Sequence, residues 1–484
     1  MERGILCCGV LPWKSAARSI PSIDPHKRRL WRSQISVRAR RAPSIRAAFD
    51  ADLTEQISGQ GKLQSPFQVA LGLGFLVSWD RAVAGALRWS GMPAAAKNLP
   101  SASLGMISLV AALLVLDRLA PDACSGVNSF FFPSVEFVQR WMPLFYAPAL
   151  AMLPAGAKSL QVMDGIKVVL LTVLSWAGTL TVTTLFTTLV RRHAKARLEE
   201  APSGLSLAPF SIWEAIPWLA IGAAGFILVY VSPTLLGSPA RTLIPFLLSS
   251  TVVGFLLGSF LPGPVKRFLH PVITCAIFVN AAALFFSIAT EKQFLSVLGS
   301  YITNNLKDPG AGDVLLALVG PLAISYGFLL YRQRRIIVRH GIELASVVSV
   351  AGMVSLLITT YAGRALDLSS QLINSVAPSN VTFAFALPVG NLLQANPSLV
   401  VSCCVLTGIL GANLSRPLLL KATKSDDPVV RGLSAACSSH GYGSASVAAG
   451  EPDLLPLCAV AYILMGTFCS LLCSVPALGR IISK

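Results

Sequence analysis

From Phe67 onward the chain is a series of unbroken apolar runs separated by short polar or basic stretches. A run of roughly 20 apolar residues is what crosses the hydrocarbon of a bilayer as a helix. In lipid, every backbone amide must be satisfied within its own helix or within a closed barrel. These runs are continuous rather than alternating, so they predict helices and not barrel strands. Composition agrees: 54% of the 484 residues are hydrophobic and only 13% are charged, whereas a soluble domain has about a quarter charged. The expected fold class is all-α, a polytopic membrane protein of about eleven to thirteen membrane elements lying in the lipid bilayer.

The runs predict a first block of spans near 67–87, 101–118, 141–154 and 166–190. The third is short and interrupted by Pro143, Pro148 and Pro154, so it reads as a broken or re-entrant element. A charged linker with Pro202 follows over 191–208 and marks the internal boundary between a unit at 66–190 and a second at 209–484. In the second block, spans are predicted near 212–232, 242–262, 270–290, 313–331, 341–363, 398–420 and 454–474.

The formal net charge of +17 invites a nucleic-acid reading, but its placement argues against one. Residues 1–49 carry eleven Lys or Arg against two acids, Glu2 and Asp24. That basic, Ser-containing, acid-poor composition is typical of an organelle transit peptide. Cleavage is expected near Arg46–Ala51, with 50–65 a polar linker. The remaining basic excess sits in clusters between spans, such as Arg191-Arg192, Lys266-Arg267 and Arg332-Gln333-Arg334-Arg335. Clusters of that kind flank membrane helices. The ten cysteines include no CxxC pair and mostly lie in apolar runs, so they read as small packing residues rather than a zinc or redox site. Neither a metal nor a cofactor is called for.

Two stretches are too apolar for solvent loops and too broken for ordinary spans. Residues 374–396 are studded with Asn, Ser, Thr and Pro, and residues 431–449 are small, polar and rich in Gly. Irregular backbone at membrane depth survives where it lines a cavity or packs in protein, and two such segments in one domain point to a transport site. In the second, Gly441 and Gly443 permit close backbone approach, and Ser438, Ser439 and Ser444 offer hydroxyls. His440 can change charge near neutral pH, which makes it the candidate for proton coupling. A half-helix starting there aims free amides at an anion. The competing reading is a plain helix break whose histidine is satisfied by a neighbouring carbonyl. In the first, Pro378 suits a first helical turn, and Asn380 and Thr382 can hydrogen-bond a carboxylate or hydroxyl, against the reading of a plain N-cap. The candidate substrate-binding set is therefore Asn380, Thr382, Ser438, Ser439, His440, Gly441, Gly443 and Ser444.

Catalysis has little support. Ser439-His440 places a hydroxyl and an imidazole side by side, but adjacent residues on a turn rarely face each other. No GxSxG elbow surrounds Ser444 or Ser446, and no HExxH occurs.

Several motifs carry a resemblance. Asp427-Pro428-x-x-Arg431-Gly432 leading to Ser439-His440-Gly441-x-Gly443-Ser444-Ala445 resembles the DP-x-x-RG…SHG-x-GTA signature of the LrgB family. Thr407-Gly408-x-x-Gly411-Ala412 resembles its TGxLGA segment, and Asp308–Asp313, Tyr331–Arg335 and Gly450–Pro476 fit as well. Residues 67–190, with Arg140–Tyr146, resemble the partner LrgA (holin-like) unit. The family has plastid members that fuse the two units behind a transit peptide. The resemblance implies a multi-pass transporter of the plastid inner envelope exchanging small 2-hydroxy carboxylates, glycolate out and glycerate in, with protons a further candidate partner and a homo-oligomer left open. The rival it carries is a holin-like, envelope-integrity protein. One position departs from the family: the basic residue after the proline of its P-K/R-S-V-T motif is Ser379 here. Arg364, Arg416 or half-helix amides are the candidates to replace that cation.

Overall fold

The computed structural model describes residues 66–89, 99–193, 209–422 and 427–475. The expected transit peptide at 1–49, the linker at 50–65 and residues 194–208 of the charged linker lie outside the described residues. Every regular element among the described residues is helical. The longer ones are α1 Pro66–Arg88, α2 Ser101–Leu119, α3 Pro121–Ala151, α4 Val162–His193, α5 Ala215–Val231, α6 Pro239–Phe260 and α7 Pro271–Ala289. They continue with α8 Ala311–Arg332, α9 Gly341–Ala365, α10 Ser370–Val376, α11 Phe383–Leu392, α12 Pro397–Lys421, α13 Pro428–Ala448 and α14 Leu455–Ser474. Among the described residues, ten helices are long and apolar enough to cross a bilayer. With the Pro-containing α3, the broken pair α10–α11 and the broken α13, the described residues hold thirteen candidate membrane elements.

Helix starts follow local chemistry. Pro121, Pro239, Pro271, Pro397 and Pro428 stand in the first turn, where the missing N–H costs nothing. Ser238, His270, Asn396 and Asp427 supply side-chain caps to α6, α7, α12 and α13. The element expected at 141–154 is different in form: α3 begins at Pro121 and runs unbroken through Pro133, Pro143 and Pro148. The apolar-run criterion missed its first half because Ser125, Asn128, Glu136 and Gln139 interrupt the run. Inside the protein Gln139 is satisfied, with Nε2 donating to Ser325 Oγ at 2.9 Å.

Helices of the first block pack between those of the second: α2 on α8, α3 on α7, and α4 on both α9 and α13. At the end of α4 an ion-pair cluster ties three helices. Arg191 donates from Nη1 to Glu343 Oε1 at 2.9 Å and from Nε to Asp427 Oδ2 at 2.7 Å. Asp427 also accepts from Val429 N with its other oxygen, so it caps α13 while holding α4. His340, 3.6 Å from Glu343, is held below the usual imidazole range by burial, against the pull of that carboxylate. Four residues past the cap, Arg431 grips Glu451 with two bonds of 2.9 and 2.8 Å. The Asp-Pro-x-x-Arg-Gly run is thus an anchoring device at the start of α13.

Candidate functional site

The two unusual stretches are helix breaks, and both are buried. In the first, α10 ends at Val376, the chain turns through 377–382, and α11 restarts at Phe383. In the second, α13 is interrupted at Ser439 (φ −140, ψ 20) and His440 (φ 43, ψ −138). A left-handed φ on a non-glycine residue costs about 1–3 kcal/mol and persists only where the surroundings impose it. Here they do. Trp176 Nε1 donates to Ser439 Oγ at 2.8 Å, His440 Nε2 lies 3.2 Å from Cys404 O, and Ser444 Oγ donates to His440 O at 2.8 Å.

α12 holds both breaks. Thr407 Oγ1 donates to Ser379 O at 2.5 Å, and Cys404 Sγ lies 3.5 Å from Pro378 O. A Cβ at Gly408 would sit 2.0 Å from the Tyr442 ring, and one at Gly411 would sit 2.1 Å from Ser439 Cβ. These two glycines therefore admit the second break against the helix, and a π-helical turn at Gly411–Ser415 opens beside it. Turns of that type are frequent at functional sites. The Thr-Gly-x-x-Gly motif is one helix face that grips one break with its hydroxyl and receives the other on its glycines.

The starts of the two half-helices meet at an aromatic cluster. Phe383, the first residue of α11, lies 5.1 Å from the His440 ring and 5.9 Å from the Tyr442 ring, centroid to centroid. Tyr146 of α3 stacks on Phe383 at 4.1 Å. Tyr442 Oη is 2.7 Å from His270 Nδ1. Because that same Nδ1 accepts the Val272 amide, it is the unprotonated nitrogen, and Tyr442 is the donor. Two half-helix N-termini beside a buried aromatic cluster form an environment suited to a small anion.

Asn380 Nδ2 faces the hydroxyls of Ser175, Thr179 and Ser355 at 3.0, 3.2 and 2.9 Å, while its Oδ1 has no hydrogen-bond partner. Ser379 Oγ, also fully buried, has none. Ser438 donates to Ser434 O, and Gly443 is required by close packing, since a Cβ there would meet Ser439 Cβ at 2.6 Å. Gly441 faces open space. Thr382, buried, is the N-cap residue of α11 but makes no side-chain cap bond. The structure thus brings His440, with Tyr442, beside the start of α11, seats Ser439 between Trp176 and Gly411, and places Ser438 and Ser444 on backbone carbonyls. Arg364 is exposed over Tyr361, and Arg416 is exposed against Gly450. The first break itself is buried, with Ser175, Thr179, Ser355, Thr407 and Cys404 against it.

Sequence reasoning missed the contribution of the first block. α4 presents Thr172, Ser175, Thr179, Thr183 and Thr187, all buried, at spacings of three and four, which places them on one face. With Trp176 this face touches both breaks. The spacing was visible in the sequence, but it stood in an ordinary apolar span. His270 and Tyr442 carried no comparable signal. All eight described cysteines are buried and free, and no group of metal ligands occurs among the described residues.

A bundle of spanning helices enclosing two facing helix breaks defines a polytopic membrane protein with a buried polar site of the transporter type. The chain belongs to the LrgB family. The LrgB-like family matches residues 251–478. The chain is 39% identical over 388 residues to plastidal glycolate/glycerate translocator 1, chloroplastic, of Arabidopsis thaliana, covering 80% of this chain and 76% of that protein. It is also 24% identical over 133 residues to the uncharacterized protein YwbG of Bacillus subtilis (strain 168), covering 28% of this chain and 59% of that one. No solved structure matches.

Proposed function

We propose that this protein is a secondary transporter of the plastid inner envelope that exchanges glycolate and glycerate, glycolate moving out and glycerate in. The observation that carries the reading is the meeting of two half-helix N-termini beside Phe383, His440 and Tyr442, with the unpartnered Ser379 Oγ and Asn380 Oδ1 in the same break. A 2-hydroxy carboxylate needs donors for the carboxylate and an acceptor or donor for the hydroxyl, and these groups are of those types. The name of the Arabidopsis relative supplies the substrates. Residues 1–49 would direct the chain to the plastid and be removed, 66–190 would be the LrgA-like unit, and 209–484 the LrgB-like unit. A fluorescent fusion of residues 1–49 is expected to enter plastids; its retention in the cytosol would remove that assignment.

Proton coupling is assigned to His440. A charged imidazole in this buried place is costly unless an anion accompanies it, so proton and carboxylate would enter together. The groups packed against it are Phe383, Tyr442 and the Cys404 carbonyl, with His270 on Tyr442. Counterflow in proteoliposomes tests both parts. Internal unlabelled glycerate is expected to drive saturable, stereoselective uptake of labelled glycerate, faster at mildly acidic pH, and His440→Gln should flatten the pH profile. Unselective leakage would instead support a holin-like pore. An unchanged profile in a well-folded His440→Gln protein would make the histidine structural.

A further inference from the structure

Away from the helix breaks, a surface cleft of about 790 Å³ lies between the end of α2 and the short helix Arg334–Arg339 that follows α8. One wall is apolar: Leu114, Val115 and Leu119 of α2 are exposed, Leu119 at 79%. The opposite wall adds Val338, 84% exposed. Arg118, Arg335 and Arg339 line the same cleft. Its carboxylate, Asp117, is already matched by Arg334 at 3.4 Å, so the balance of the lining is cationic. Arg118 and Arg335 form no ion pair among the described residues.

Position identifies the occupant. α2 and α8 are spanning helices that end at Leu119 and Arg332, so the arginines stand where headgroups lie, while Leu114 and Val115 stand one turn further into the span. Guanidinium groups bind phosphate and sulfonate oxygens through paired donors. Basic pockets at the ends of membrane helices bind anionic headgroups in this way. A soluble anion would use the arginines but leave the apolar walls in water, whereas a lipid uses both. We propose that this cleft is a binding site for an anionic membrane lipid, its phosphate or sulfonate headgroup on Arg118, Arg335 and Arg339 and an acyl chain along Leu114 and Val115. The site is separate from the helix breaks and does not depend on what the protein carries.

The test uses the full-length protein purified in detergent and titrated with phosphatidylglycerol or phosphatidylcholine, with bound lipid counted by native mass spectrometry. Phosphatidylglycerol is expected to bind more tightly. The triple variant Arg118→Gln, Arg335→Gln, Arg339→Gln should lower that affinity roughly fivefold per arginine, about a hundredfold in all, with phosphatidylcholine binding unchanged. Arg335→Lys, which keeps charge and fold, should retain most of the preference and guards against a triple variant that misfolds. Equal affinity for the two lipids in the native protein would overturn the proposal. So would undiminished phosphatidylglycerol binding in a folded triple variant. Displacement of the lipid by millimolar inorganic phosphate would overturn the lipid assignment in favour of a soluble-anion site.

Discussion

Arg191→Met is expected to lower the unfolding free energy of the detergent-purified protein by about 3–5 kcal/mol, the range for removing one partner of a buried ion pair. Glu343 is 2% exposed and Asp427 24%, and Arg191 binds both. Without the guanidinium, the Glu343 carboxylate is left buried without its strongest partner. The more exposed Asp427 adds less. Thermal unfolding of Arg191→Met should therefore occur well below that of the native protein. Adding Glu343→Gln to Arg191→Met should recover most of the loss, because it removes the stranded charge. Native-like unfolding of Arg191→Met would show that the cluster contributes nothing. Failure of Glu343→Gln to rescue would locate the loss elsewhere on Arg191, in its packing or in the Asp427 cap of α13.

This network also shows what was legible in the sequence. The spans were, because a continuous apolar run has few other uses: the stretch expected at 341–363 is α9 at Gly341–Ala365, and that at 454–474 overlaps α14 at Leu455–Ser474. The two breaks were legible from Pro378 and from the Ser-His-Gly run, since neither composition continues a helix. Pairings between distant segments were not. Nothing in the Arg191-Arg192 pair says that one arginine faces Glu343 and Asp427 rather than flanking a membrane helix. Trp176 likewise reads as one more aromatic in an apolar span until its indole N–H is found on Ser439. α3 was misread because Ser125, Asn128, Glu136 and Gln139 interrupt its apolar run, and the sequence does not show that Gln139 pairs with Ser325 of α8.

Ser379 is the most informative place to perturb the site. Ser379 Oγ is buried without a hydrogen-bond partner. Leaving such a group unpaired costs about 1–3 kcal/mol, so Ser379→Ala should make the empty protein more stable. Ser439→Ala should have the opposite effect, because it strands the Trp176 donor. Both hydroxyls are proposed to meet the substrate carboxylate, and a lost bond to a charged group costs about 1.5–3 kcal/mol, roughly ten- to a hundredfold in affinity. The two variants should therefore shift stability in opposite directions and glycerate affinity in the same one.

The central claim is that the two breaks hold one ligand, and a double-mutant cycle on glycerate binding tests it most directly. Dissociation constants would be measured for the native protein, Ser379→Ala, Ser439→Ala and the double variant, each verified as folded. If one carboxylate bridges the breaks, the losses are non-additive by at least about 0.5 kcal/mol, with the double variant weaker than either single one but short of their sum. Two additive losses, or glycerate binding indifferent to either hydroxyl, would contradict a shared site.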